Sequence, residues 1–116
     1  MPWDVFHAYE VTVQDQRVAD IKAWNAATTP AKTAAVVATR KAHAQADLAW
    51  LKATTPRQCY KILYDDLVLY DNQELKVMND WLAGRYSTIN NVDLPAINAT
   101  WDRLSGEFGD AVYACS

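Results

Sequence analysis

The sequence predicts an all-α protein, an antiparallel up-down-up-down four-helix bundle. Three observations predict it. Gly 3 and Pro 4 in 116 residues are too few for the many turns of an all-β fold. Apolar residues recur at spacings of three and four along four long segments, roughly residues 3–26, 30–52, 56–83 and 94–113. The first two connections are only a few residues long, which favours antiparallel neighbours. The length suits a single domain spanning residues 1–116, and an apolar content of 51% excludes a disordered tail.

The first helix is predicted from Phe6, Tyr9, Val13, Ile21 and Trp24, which share one broad face, with Val11 and Val18 off it. The second carries two stripes. One is Val37, Ala44, Leu48 and Leu51. The other is alanine: Ala31, Ala35, Ala38, Ala42, Ala46, Ala49 and Ala53. An alanine stripe is flat and lets another helix approach closely, so Ala31–Ala49 form a candidate partner face.

The third helix has the widest stripe: Tyr60, Leu63, Tyr64, Leu67, Tyr70, Met78, Trp81 and Leu82. Gly84 follows at the place of a left-handed C-terminal stop. Residues Tyr86 to Asp93 are polar and predict a loop. The fourth helix follows from Leu94, Ile97, Trp101, Leu104, Phe108, Ala111 and Cys115, with Gly106 and Gly109 weakening its second half.

The stretch Ala-Thr-Thr-Pro occurs twice, at 27–30 and 53–56, each time at a predicted helix boundary. Proline suits the first helical position, where its missing N–H has no helical partner. The preceding Thr29 and Thr55 are then expected to cap the helices with their hydroxyls. Gln58 completes a capping-box spacing after Thr55, whereas Lys32 stands at that place after Thr29, so the second cap should be the stronger.

Cys59 falls in the first turn of helix three and Cys115 at the far end of helix four. Antiparallel packing brings those ends together and predicts a Cys59–Cys115 disulfide, with an extended tail after Gly109 absorbing a mismatch of about 7 Å. Disulfides persist in oxidising compartments, so the chain is expected to be exported, periplasmic or extracellular, with its signal peptide absent from this chain. Met1-Pro2-Trp3-Asp4 lacks the pattern of such a peptide. No apolar run is long enough for a membrane span.

A net charge of −3 argues against nucleic acid as a partner. Residues 22–61 hold seven Lys/Arg and one acid, while residues 65–110 hold nine acids and three Lys/Arg. The two regions are expected to pack side by side and neutralise each other. Several charges also interrupt the apolar stripes: Glu10 and Arg17 in helix one, Arg40 in helix two, Asp71 and Glu74 in helix three. Buried charges must pair, so Arg17 or Arg40 should meet Asp71 or Glu74.

No nucleophile motif, phosphate loop or haem-attachment motif is present. Di-iron bundles use Glu-x-x-His on two helices; His7-x-x-Glu10 runs the other way, and His43 lies on a charged flank. Two isolated cysteines make no zinc signature. No catalytic residue, metal or cofactor is expected. Asn98-Ala99-Thr100 matches the glycosylation sequon but lies inside helix four beside the core seam. The expected function is that of a non-enzymatic structural or protein-interaction subunit, meeting a protein partner or a second copy. The alternative is a carrier of a small apolar ligand in the aromatic interior, and a less favoured one is a carboxylate-bound metal protein.

Overall fold

The computed structural model describes all 116 residues. Four long helices run antiparallel: α1 (Trp3–Ala26), α2 (Pro30–Lys52), α3 (Lys61–Leu82) and α4 (Leu94–Ala114). The chain is an all-α four-helix bundle, elongated at 46 × 23 × 23 Å. α1 packs on α2, α2 on α3, and α3 on α4. The core is a single cluster that includes Phe6, Val37, Leu51, Leu63, Leu67, Val77, Met78, Ile97 and Leu104. The predicted stripe Val37, Ala44, Leu48 and Leu51 is buried along its length. Val11 and Val18, off the face of α1, are exposed.

The end holding Met1 is aromatic. Phe6 stacks on Tyr60 at 4.4 Å and Tyr9 on Trp50 at 3.7 Å between ring centroids. The Tyr60 hydroxyl donates to the Met1 carbonyl, and that of Tyr64 donates to the Leu51 carbonyl. The second bond adds to the backbone N–H of Thr54, which the same Leu51 carbonyl also accepts. The Cys59–Cys115 disulfide closes the same end, with Cα atoms 5.3 Å apart.

The two Ala-Thr-Thr-Pro stretches behave differently. Thr29 caps α2: its Oγ1 accepts from the Lys32 N–H at 3.2 Å. Thr55 makes no side-chain hydrogen bond and caps no helix. The chain after it passes through a 3₁₀ turn, Gln58–Tyr60, and α3 begins only at Lys61. Thr54 is used instead, donating its hydroxyl back to the Trp50 carbonyl at 2.8 Å. The capping-box expectation therefore fails at the copy that matched it better: the helix starts too late for Thr55 to reach it.

α3 stops at Gly84 as predicted. Its φ is 74°, Gly84 N–H reaches Trp81 O, and Arg85 N–H reaches Asp80 O. That pair of bonds is a Schellman stop. The predicted loop from Tyr86 to Asp93 is helical instead. A single turn, Tyr86–Thr88, leads into a π-helical stretch, Ile89–Asp93, that runs directly into α4. Ile89 is buried in the core, and buried Asp93 pairs with Lys76 of α3. The wide turn sits just before Pro95, which has no N–H to offer Asn91 O and whose ring would crowd that carbonyl in a regular helix. This early start gives α4 its reach. The tail past Gly109 stays helical to Ala114, and the expected extended tail does not form.

Candidate functional site

Two features stand apart from ordinary core packing: the outer face of α2 and the charged middle of the bundle. On the outer face, Ala31, Ala35, Ala38, Ala42, Ala46 and Ala49 are all exposed. No helix of the chain covers them. Their spacing of four, three, four, four and three follows the pitch of a straight helix closely, so the stripe does not wander around α2. No charged side chain lies on the line itself. Lys41 and Lys52 flank it and form no ion pair.

The middle of the bundle is charged because the stripes of three helices carry ionisable residues at one level. Arg17 of α1 is 4% exposed and lies at the centre. Its Nη2 donates to Asp47 Oδ2 at 2.6 Å and to Asp71 Oδ1 at 3.0 Å. Its Nη1 donates to Gln14 Oε1 at 2.9 Å and stands 3.6 Å from Glu10 Oε2. Three buried carboxyls thus surround one guanidinium. Burial pushes the Glu10 carboxyl up to about 9, with the Asp47 charge adding to it. Burial and a hydrogen bond with Asp47 push Asp71 up to about 10. Burial acts against the Arg17 charge, but Asp71, Glu10 and Asp47 together outweigh it and hold the guanidinium protonated.

Near neutral pH, Glu10 and Asp71 are therefore carboxylic acids that share their protons with Asp47. Glu10, Asp47 and Asp71 each present a buried oxygen that no N–H reaches. The shared protons supply those donors. Isolated buried carboxylates would be too costly to hold in an apolar bundle. A second pair lies alongside: Arg40 Nε donates to Glu74 Oε1 at 2.9 Å. Asp20, also buried, hydrogen-bonds His43 Nδ1 at 2.7 Å.

The five charges picked out by spacing all lie in this interior. Arg17 joins Glu10 and Asp71, while Arg40 joins Glu74 separately. Asp47, Asp20 and Gln14 were missed. Asp47 was findable, since it continues the Val37, Ala44, Leu51 stripe at spacings of three and four. Asp20 likewise lies between Arg17 and Trp24 on the α1 face. His7 does not join Glu10; it stacks on Trp3 at 4.7 Å. Thr100 of the sequon is 1% exposed and its hydroxyl donates to Ala96 O.

The expected neutralisation between the basic and acidic regions is largely absent. Only Arg40–Glu74 joins them across the bundle; Arg103–Asp66, Lys76–Asp80 and Arg85–Asp80 pair within the acidic region. No helix is long and apolar enough to cross a membrane. No family model matches the chain, and neither curated proteins nor solved structures give a match.

Proposed function

We propose that this chain is a non-enzymatic structural or interaction subunit that acts in an oxidising compartment outside the cytosol. We further propose that the alanine face of α2 is where a second copy of the chain docks. The observation that carries the reading is the uninterrupted exposure of Ala31, Ala35, Ala38, Ala42, Ala46 and Ala49. Such a stripe leaves no large side chain to hold a neighbouring backbone away. A straight, uncharged stripe is also self-complementary when two copies meet antiparallel about a two-fold axis. The disulfide supports the compartment, because such bonds persist where thiols are not kept reduced.

Light scattering across a concentration series tests this reading. Wild-type protein is expected to approach twice the monomer mass, and Ala42→Glu to remain monomeric with an unchanged melting temperature. A wild-type chain that stays monomeric at every concentration, or a dimer that Ala42→Glu leaves intact, would overturn it.

A further inference from the structure

The seam between α1 and α4 is closed at one end by His7 against Phe108, 6.1 Å between ring centroids. Toward the other end it opens into a cavity of about 280 Å³. Ile21 and Trp24 of α1 and Leu94 and Ile97 of α4 form apolar walls, and Arg40, Tyr70, Asn25 and Asn98 supply polar groups. No carboxylate lines it.

Arg40 and Tyr70 are unusual in what they leave open. Arg40 is only 5% exposed, yet only its Nε is engaged, by Glu74. Neither terminal nitrogen meets a protein acceptor. Its guanidinium lies over the Trp24 ring at 5.3 Å, which orients it. Tyr70 is 2% exposed and its hydroxyl makes no hydrogen bond within the protein. Burial raises the Tyr70 pKa, so the hydroxyl keeps its proton and remains a donor. These donors have no protein acceptor and are reached through the cavity, so its contents must satisfy them. Here two such residues line one cavity, beside four apolar side chains and the amides of Asn25 and Asn98.

We propose that this cavity is a binding site for a small monocarboxylate with an apolar tail. The carboxylate accepts from Arg40 and from the Tyr70 hydroxyl. The tail lies against Ile21, Trp24, Leu94 and Ile97. Guanidinium suits a carboxylate because its N–H groups diverge in one plane and can serve Glu74 and a ligand together. The volume lies near the lower end of the range for small-molecule sites, which fits a short acyl or aryl acid.

Octanoate and 1-octanol, matched in tail and differing in charge, are the probes. Each is titrated into ¹⁵N-labelled protein at about millimolar concentrations. Octanoate is expected to give saturable shifts at the Trp24 indole and at Leu94 and Ile97, and to bind more tightly than octanol. Tyr70→Phe removes only an oxygen that bonds nothing in the protein, so the free protein should lose no stability. Its octanoate affinity should nevertheless fall about tenfold, and its octanol affinity much less. Ile21→Trp, which fills the cavity from a half-buried wall, should abolish both. Absence of saturable octanoate binding, equal affinity for octanol, or octanoate affinity unchanged in Tyr70→Phe would each overturn the proposal.

Discussion

Arg17 decides which protons the interior holds. Three carboxyls within reach of one guanidinium cannot all be charged in an apolar bundle, so Glu10 and Asp71 keep protons to about pH 9 and pH 10. In the unfolded chain both would release them near pH 4. The folded state therefore binds more protons than the unfolded state across the neutral range, and stability must fall as pH rises through it. Glu107 acts in the same direction; burial, then a hydrogen bond with Asp66, raises it to about 8. Asp66 and Asp80 are held low by their partners, and their contributions change only below about pH 4. The melting temperature is thus expected to fall steadily from pH 5 to pH 9. In Glu10→Gln/Asp71→Asn, which replaces both acids by neutral isosteres, most of that slope should vanish, leaving the part due to Glu107. A melting temperature that is flat or rises over this interval would refute the shared protons.

The helices show which element boundaries local chemistry sets and which are set from a distance. Thr29 and Thr55 have the same neighbours on both sides, yet only Thr29 caps a helix. Thr29→Ala should cost about 1 kcal/mol in urea unfolding, and Thr55→Ala no more than about 0.5 kcal/mol. Equal losses would show that Thr55 also caps. The lengths of α1 and α2 and the buried faces of the helices were legible from apolar spacing, as with Val37, Ala44, Leu48 and Leu51. But α3 starts at Lys61 rather than at residue 56, and Leu82, expected on its stripe, is exposed. The Gly84 stop was legible too, since few other residues accept its φ of 74°. The helical stretch from Tyr86 to Asp93 was not. Its residues are polar and weak helix formers. It is held by Ile89 in the core, Asp93 on Lys76 and the wide turn ahead of Pro95, and two of those depend on residues distant in sequence. The polar interior was partly legible. A charge interrupting an apolar stripe announces a buried pair, as at Arg17 and Asp71, but the open donors of Arg40 and Tyr70 emerge only from packing.

At the scale of the whole molecule, the bundle is tied unevenly. α3 and α4 are joined covalently at the aromatic end by Cys59–Cys115, which closes a loop with a sequence separation of 56. α1 has no such tie. It is held by Phe6 against Tyr60 and Trp50, by the hydrogen bond from Tyr60 to Met1, and by Arg17 reaching Asp47 and Asp71. The cross-link acts mainly on the unfolded chain, whose freedom it restricts by about 4 kcal/mol in the chain-entropy model. The core cluster does not depend on it, because buried Leu63, Leu67, Tyr70, Ile97 and Leu104 join α3 to α4 along the rest of their length. Cys59→Ala/Cys115→Ala should therefore keep its far-ultraviolet circular dichroism while its melting temperature falls by roughly 15 °C. The cavity lined by Trp24, Arg40 and Tyr70 lies toward the opposite end, so octanoate binding should survive in the folded variant. Loss of helical signal at low temperature would instead mean that the disulfide holds the native bundle itself together.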